Sequence, residues 1–489
     1  MSISMVASPA RLDLRSLAVL RIALAFTLLT DLWIRWGDAG AHYGPNGVGL
    51  CRSLAGVTRH LRPDLFPCAD QLVDWILVHF AVHAGAALCL LVGFRTRIAN
   101  LVAWVLLVSL HNRNGLVLNG GDTLLRSFLF WSMFLPLGER WSADSRRVHD
   151  RIERSSVHSA ATWIFVAQLL IVYPVATWYR RAEPAWWDGS ALARILEHDL
   201  YATRLAVALR DFPELLTACG YAAAALESFG WALALVPVFG NGVLRTLIVL
   251  AFVTFHAAIA ATMGVGMFPM VSAAGWLALL PSPFWDRVAP ASRGFDAAPA
   301  VETVVVLVRR YSGQALLVGM AAILVAWNLA RAKLPELSGV VPPRAVTIGR
   351  LLRMEQSWRL FPRVPKDDGW FVLDAELANG EHVDLLNEGA PTTLAAPDHV
   401  LGRIPNRRWG KLLMHLRERK HVERRAEFVR FYSDHFNASS PCGRQIRRAR
   451  LLFIPERTMT PRPLWHQLRP ATPAEGCAGT ASGRPNRPS

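Results

Sequence analysis

Between Leu17 and Ala330 the chain carries about nine apolar runs, most of them long enough to cross a lipid bilayer. This feature fixes the solvent before anything else. A membrane-crossing helix needs roughly 20 mostly apolar residues, and within hydrocarbon its backbone groups must be paired inside the segment. The longest runs are 17–36, 72–94, 159–178, 219–239, 243–262 and 311–330. Three shorter runs, 97–110, 124–137 and 268–280, are bounded by short polar turns and read as spans too. Composition agrees: 18% of residues are charged, against about 25% in soluble domains. Many tryptophans, including Trp33, Trp36, Trp75, Trp163, Trp178, Trp186 and Trp187, fall near span ends, where amphipathic rings sit at headgroup level. The first run is too long for a signal-peptide core and lacks a small-residue cleavage site, so it reads as a retained helix.

Basic loops orient such a chain, because Lys and Arg accumulate on the cytoplasmic side. Arg95 and Arg97, the group Arg140 to Arg154, Arg245, and Arg287 to Arg310 fall in loops that share one side. With nine spans, the N-terminus is expected in the cytoplasm and the C-terminal region outside an inner cell membrane. The net charge of +16 is expected to solvate helix faces and meet anionic lipid headgroups rather than nucleic acid.

The expected organisation is a transmembrane domain over 1–335, an extracytoplasmic α+β tail over 336–465 and a disordered C-terminus over 466–489. The fold class is a polytopic α-helical membrane protein with a small strand-hairpin-plus-helix domain. In the tail, 370–377 and 381–386 read as strands joined at Asn379-Gly380, a type I′ hairpin signal. Residues 407–436 read as one basic helix with Trp409, Leu412, Leu413 and Leu416 on a common face, and 447–454 as a further strand. The outer loop 179–213 contains 190–209, an amphipathic helical pattern with Ser190 near its N-cap. Cys51, Cys68 and Cys442 are disulfide candidates if they lie outside the membrane. No cysteine spacing suits a metal, and no metal is expected.

Ionisable residues within spans are costly and are functional suspects. They are Asp31, His79, His83, Arg126, Glu227 and His256. Arg126 lies one turn after Asp122, so an Asp122–Arg126 pair would lower the burial cost. Glu227 and His256 sit on neighbouring helices. No phosphate-binding loop, dinucleotide fingerprint, zincin motif or nucleophile elbow occurs in a suitable context.

Several blocks in series resemble a known family. The runs His111-Asn112-Arg113-Asn114, Asn119-Gly120-Gly121-Asp122-Thr123-Leu124-Leu125 and Phe134-Leu135-Pro136-Leu137-Gly138 resemble HTTM (horizontally transferred transmembrane domain) proteins, as do Gln356-Ser357-Trp358-Arg359-Leu360-Phe361-Pro362 and Arg408-Trp409-Gly410-Lys411. Phe255-His256, Gly264-Val265-Gly266-Met267-Phe268-Pro269 and Trp186-Trp187-Asp188-Gly189 resemble vitamin K-dependent gamma-carboxylases of that broader set. The resemblance implies a nine-span bundle followed by a strand-rich extracytoplasmic domain. It also implies chemistry in which a reduced quinone and oxygen generate a base that deprotonates glutamate before CO2 adds.

The site departs from that pattern. Where the carboxylases place a catalytic lysine, this chain has Tyr179-Arg180-Arg181-Ala182-Glu183, and Leu118-Asn119-Gly120 stands where they place a second catalytic histidine. A desolvated lysine can act as a base, whereas an arginine effectively stays charged. The expectation is therefore a carboxylase-like fold that binds a quinone, such as a reduced vitamin K-like one, or another lipophilic molecule without carboxylating glutamate. Arg180, Arg181, Trp186, Glu227, His256, Met267 and Phe268 are its expected lining, with the arginines meeting an anionic group. Asp122, Arg126 and Gly266 are expected to act structurally or conformationally. Two rival readings stand beside it. One is a quinone-epoxidising enzyme using another base, drawn from His256, Glu183, Asp188 or His198. The other is a non-catalytic scaffold or transporter. Membrane lipids and a protein docked on the tail are the expected partners.

Overall fold

A computed structural model describes residues 8–44, 47–48, 72–147, 155–236, 242–289, 304–331, 342–364, 368–456 and 462–467. Cys51, Cys68 and most of the expected disordered terminus lie outside the described residues, as does the side chain of Cys442.

The bundle opens with a short strand β1 (Leu12–Asp13) running into α1 (Leu14–Gly37). Asp13 caps that helix by accepting from the Arg15 backbone N–H at 2.7 Å, which satisfies a donor the helix cannot pair itself. A short helix α2 (Ala39–Tyr43) follows, then α3 (Leu72–Val92), α4 (Thr96–Arg113) and α5 (Gly120–Ser132). Asn119 and Asp122 form a reciprocal capping box at the start of α5, with Gly121 N–H donating to Asn119 at 2.8 Å and Asn119 N–H to Asp122 at 2.7 Å. Strand β2 (Ser156–Val157) pairs with β1. The next span is split into α6 (Ala160–Leu170) and α7 (Val172–Arg180), because Pro174 has no N–H to give the Leu170 carbonyl.

The outer loop carries α8 (Ala191–Leu196) and α9 (Arg204–Leu209). The single amphipathic helix expected over 190–209 is thus broken in the middle, where Thr203 starts a new helix by accepting from Ala206 N–H at 3.3 Å. Ser190 stands at the N-cap position but its hydroxyl caps nothing. Then come α10 (Pro213–Ala225), a π-helical turn at Leu226–Gly230, α11 (Trp231–Leu233), α12 (Val243–Thr262), α13 (Phe268–Leu277), α14 (Ser282–Val288), α15 (Val304–Arg331) and α16 (Pro343–Leu351). The expected span 219–239 is therefore an interrupted helix whose end lies outside the described residues.

Four helical segments among the described residues have the length and hydropathy to cross a membrane: Leu14–Gly37, Trp75–Val92, Ala160–Arg180 and Val243–Thr262. Only 22% of the last is buried inside the protein, and Leu244, Leu247 and Leu250 project outward from it. A helix that is apolar on its unpacked face belongs against lipid.

The tail folds as an antiparallel sheet in the order β5–β4–β3–β6–β7, from β3 (Gly369–Leu377), β4 (His382–Asp384), β5 (Ala390–Pro391), β6 (Ile446–Pro455) and β7 (Arg462–Gln467). The expected hairpin is present, but its turn differs. Gly380 takes φ +85° while Asn379 does not enter positive φ, and Gly380 N–H returns to the Leu377 carbonyl at 3.0 Å. This is the three-residue hairpin with glycine in the left-handed position, not type I′. The expected helix 407–436 is two helices, α17 (Arg407–Leu416) and α18 (Val422–Ser439), and α17 buries Trp409, Leu412, Leu413 and Leu416 as its pattern predicts.

Buried side chains form two cores. One fills the bundle and ends on Met354 and Trp358. The other joins the tail sheet and α17 to outer-loop residues such as Trp186, Ile195 and Tyr201. The candidate site lies where the two meet.

Candidate functional site: a cavity between bundle and tail

A cavity of about 780 Å³ opens beneath the tail, within the size range of small-molecule sites. Its apolar wall is Phe255 and Ile259 of α12, Phe268 of α13, and Leu192, Ile195 and Trp186 of the outer loop. Its polar wall is Arg126, Arg180, Arg353, Arg359, Arg363, Arg407 and Lys411 with Glu227 and Glu355. Arg180 ends α7. Its guanidinium lies over the Trp186 ring at 3.8 Å, donates to the Leu360 carbonyl at 2.8 Å, and forms a buried ion pair with Glu227. Glu227 sits in the π-helical turn, where the wider winding shifts the side chains of the following residues. Trp186 donates its ring N–H to the Phe361 carbonyl at 3.1 Å.

Gly266 holds the α12–α13 turn at φ +73°, and a Cβ there would lie 3.1 Å from Asn119 and 3.4 Å from Arg407. Glycine is required both by the conformation and by the close approach. Gly121 is tighter: a Cβ would stand 2.5 Å from the Phe268 backbone nitrogen.

Beside the cavity lies a fully buried charge cluster. Asp31 and Arg35 are one turn apart on α1 and bond at 2.7 Å. Arg35 also donates to Asp122 at 2.5 Å and to the Tyr43 hydroxyl. Arg408, reaching in from α17, donates to Asp122 at 2.8 Å, to the Val117 carbonyl at 3.2 Å and to Asp31. Two aspartates thus face two arginines, all four side chains buried. Burial opposes charge on Arg408, but Asp122 and Asp31 outweigh it and raise its pKa. Arg126 points elsewhere, to His111 at 2.8 Å and to the Arg353 carbonyl at 2.7 Å. The expected Asp122–Arg126 pair is therefore replaced: the capping geometry of α5 turns Asp122 toward Arg35 and Arg408.

Around the cluster, Asn406, which caps the start of α17, and Trp409 of α17 both donate to Asp38, the latter at 2.8 Å. The His42 ring packs on Trp409 with centroids 4.5 Å apart. Burial, then Arg408 and Arg35, push its pKa down to about 3. Lys411, one turn beyond Arg407, forms no ion pair or hydrogen bond among the described residues. Burial and the Arg407 charge lower its pKa, against a smaller opposing effect of Glu418.

The HTTM-domain family model matches residues 10–285, more than half of the chain. The chain belongs to the HTTM-domain family. No curated protein and no solved structure matches it.

The HTTM region brings together Arg180, Trp186, Glu227 and Phe268 of the expected lining. It does not bring Arg181, His256 or Met267. Arg181 turns outward, bonding the Trp178 carbonyl at 2.6 Å and covering the Trp178 ring, because adjacent helical residues project in different directions. His256 is buried behind the wall, bonded to the Tyr173 hydroxyl at 2.9 Å, with its ring near Phe268. Met267 packs against the bundle core. Glu183 precedes the short 3₁₀ turn Pro184–Trp186 and does not itself line the cavity, Asp188 lies at the surface and accepts from Ser190 N–H at 2.9 Å, and His198 faces Asp368 at 3.3 Å. The His79 and His83 rings meet edge to face with centroids 5.7 Å apart. Among the described residues, the one group whose atoms could converge on an ion is His415, Glu418 and His421. There the Lys420 ammonium already occupies Glu418 at 2.6 Å.

Sequence reasoning missed the tail's contribution. Arg408 and Lys411 belong to a block that carried the family resemblance and Arg407 directly precedes it, yet the aspartate partners of Arg408 lie 286 and 377 positions earlier.

Proposed function

We propose that this HTTM-domain membrane protein binds a lipophilic molecule, a quinone or one of similar shape, in the cavity between its bundle and its tail. The tail is placed on the extracytoplasmic side in this reading. One observation carries it: Arg180 and Glu227, an ion pair within a predominantly apolar helix bundle, line a cavity whose opposite wall is Phe255, Ile259 and Phe268. Charged residues in membrane segments demand a partner or a function; Arg180 and Glu227 pair with each other, and the cavity they line gives them a ligand to meet in this reading. Glutamate carboxylation is not proposed: by the resemblance, arginines stand in the stretch where the carboxylases place the lysine that starts it, and an arginine effectively stays charged.

The reading is tested by titrating the purified full chain with menaquinone and following tryptophan fluorescence, since Trp186 lines the cavity. Saturable quenching that is weakened by Phe268→Ala supports it. Quenching that rises linearly with quinone and ignores the substitution opposes it. Adding oxygen to the anaerobic complex with reduced quinone separates binding from catalysis. Epoxide formation would instead establish the enzyme reading.

A further inference from the structure

Resting on the reading that this cavity takes a lipophilic molecule, we propose that the occupant is an anionic amphiphile. Its hydrocarbon body would lie along Phe255, Ile259 and Phe268, and its phosphate- or carboxylate-type head would sit against Arg407 and Lys411. The charge on the cavity wall is one-sided: seven arginine and lysine side chains stand against two glutamates. Arg180 is matched by Glu227, and Arg126 is held by His111 and a carbonyl. Arg407 and Lys411 are different. They stand four positions apart on α17, so they share a face. Both are half-buried, and neither has a carboxylate partner among the described residues. Arg407 rests on the Tyr201 ring at 4.4 Å, and Lys411 makes no hydrogen bond among the described residues.

Two like charges four positions apart at a partly dehydrated wall repel each other, and burial first, then the Arg407 charge, lowers the Lys411 pKa. An anion between them removes that repulsion and gains charge-assisted hydrogen bonds. A neutral quinone would leave the pair unmatched. The division of labour is also specific: α17 supplies cations, while α12 and α13 supply the apolar wall. One amphiphile would touch both halves of the protein.

The test uses the purified full chain in a neutral detergent, with tryptophan fluorescence titrations of octyl phosphate, octanol, inorganic phosphate and menaquinone. The expected result is octyl phosphate binding about tenfold or more tighter than octanol or inorganic phosphate, with affinity falling as salt rises. Lys411→Gln removes an ammonium with no hydrogen bond or ion pair among the described residues, so it tests the head site without breaking a contact seen there. It should weaken octyl phosphate about tenfold and leave octanol unchanged, and Arg407→Gln should do likewise. Elution volume and far-ultraviolet circular dichroism verify the fold of each variant. If octanol and menaquinone bind as well as octyl phosphate, this proposal falls while the lipophilic reading stands. If inorganic phosphate binds as tightly as octyl phosphate, the site takes a free anion and both fall. If no probe gives a saturable response, both fall as well.

Discussion

Replacing Arg408 with methionine should release the tail from the bundle. The substitution keeps much of the side-chain volume but removes the donors to Asp31, Asp122 and the Val117 carbonyl. Two buried carboxylates would then share the single guanidinium of Arg35. Breaking a buried pair by deleting one partner costs about 3–5 kcal/mol, because the remaining charge is desolvated and unmatched. At about 1.4 kcal/mol per factor of ten, the undocked population should rise by roughly a hundredfold to a few thousandfold. Limited trypsinolysis reads that population when reclosing outpaces cleavage, so tail cleavage should accelerate by a similar factor. Adding Asp31→Asn to Arg408→Met removes the surplus charge and should recover part of the loss. Cleavage at the wild-type rate in Arg408→Met, or a double variant that is the simple sum of its two singles, would refute this account of the cluster.

Three further outcomes follow from the same geometry. His42 is held neutral in the fold with its pKa near 3, while an unfolded histidine titrates near 6.5. Tail docking should therefore be at full strength above about pH 6.5 and weaken as pH falls toward 3. His42→Phe should flatten that dependence in pH-dependent proteolysis. Gly121→Ala drives a methyl into the Phe268 backbone at 2.5 Å, and should lower the thermal midpoint by an amount equivalent to about 1–3 kcal/mol. Glu227→Gln leaves Arg180 buried without a carboxylate, and should destabilise by on the order of 3 kcal/mol in thermal melts, with Arg180→Leu in the same chain recovering part of it.

Hydropathy made the bundle readable where it was continuous. α1, α3 and α12 begin and end within a few residues of their apolar runs, because lipid imposes one length requirement on each. It failed at the breaks. The pattern Leu192, Ile195, Leu196, Leu205 continues across 197–203, yet the chain turns there so that Tyr201 can carry Arg407 and Thr203 can cap α9. In the tail, strand alternation and the glycine at 380 located the hairpin, while φ at Asn379 was set by the closing hydrogen bond rather than by residue type. For the site, Glu227 was visible as a charge in the wrong solvent, and Arg180 through the family resemblance, in the stretch where the carboxylases place a lysine. Arg408 was not, since a basic residue on a basic amphipathic helix looks like any solvated face until its partners, Asp31 and Asp122, are placed beside it.

The most direct measurement is photoaffinity labelling of the full chain in native-like membranes with a lipophilic diazirine probe, followed by peptide mapping. If the cavity beneath the tail holds a lipophilic ligand, adducts should fall on Phe255–Phe268 and on the segment of Trp186, Leu192 and Ile195. They should disappear under competition by unlabelled probe. Adducts confined to the outward face of α12, at Leu244, Leu247 and Leu250, and insensitive to competition would contradict the account, because those positions meet bulk lipid alone.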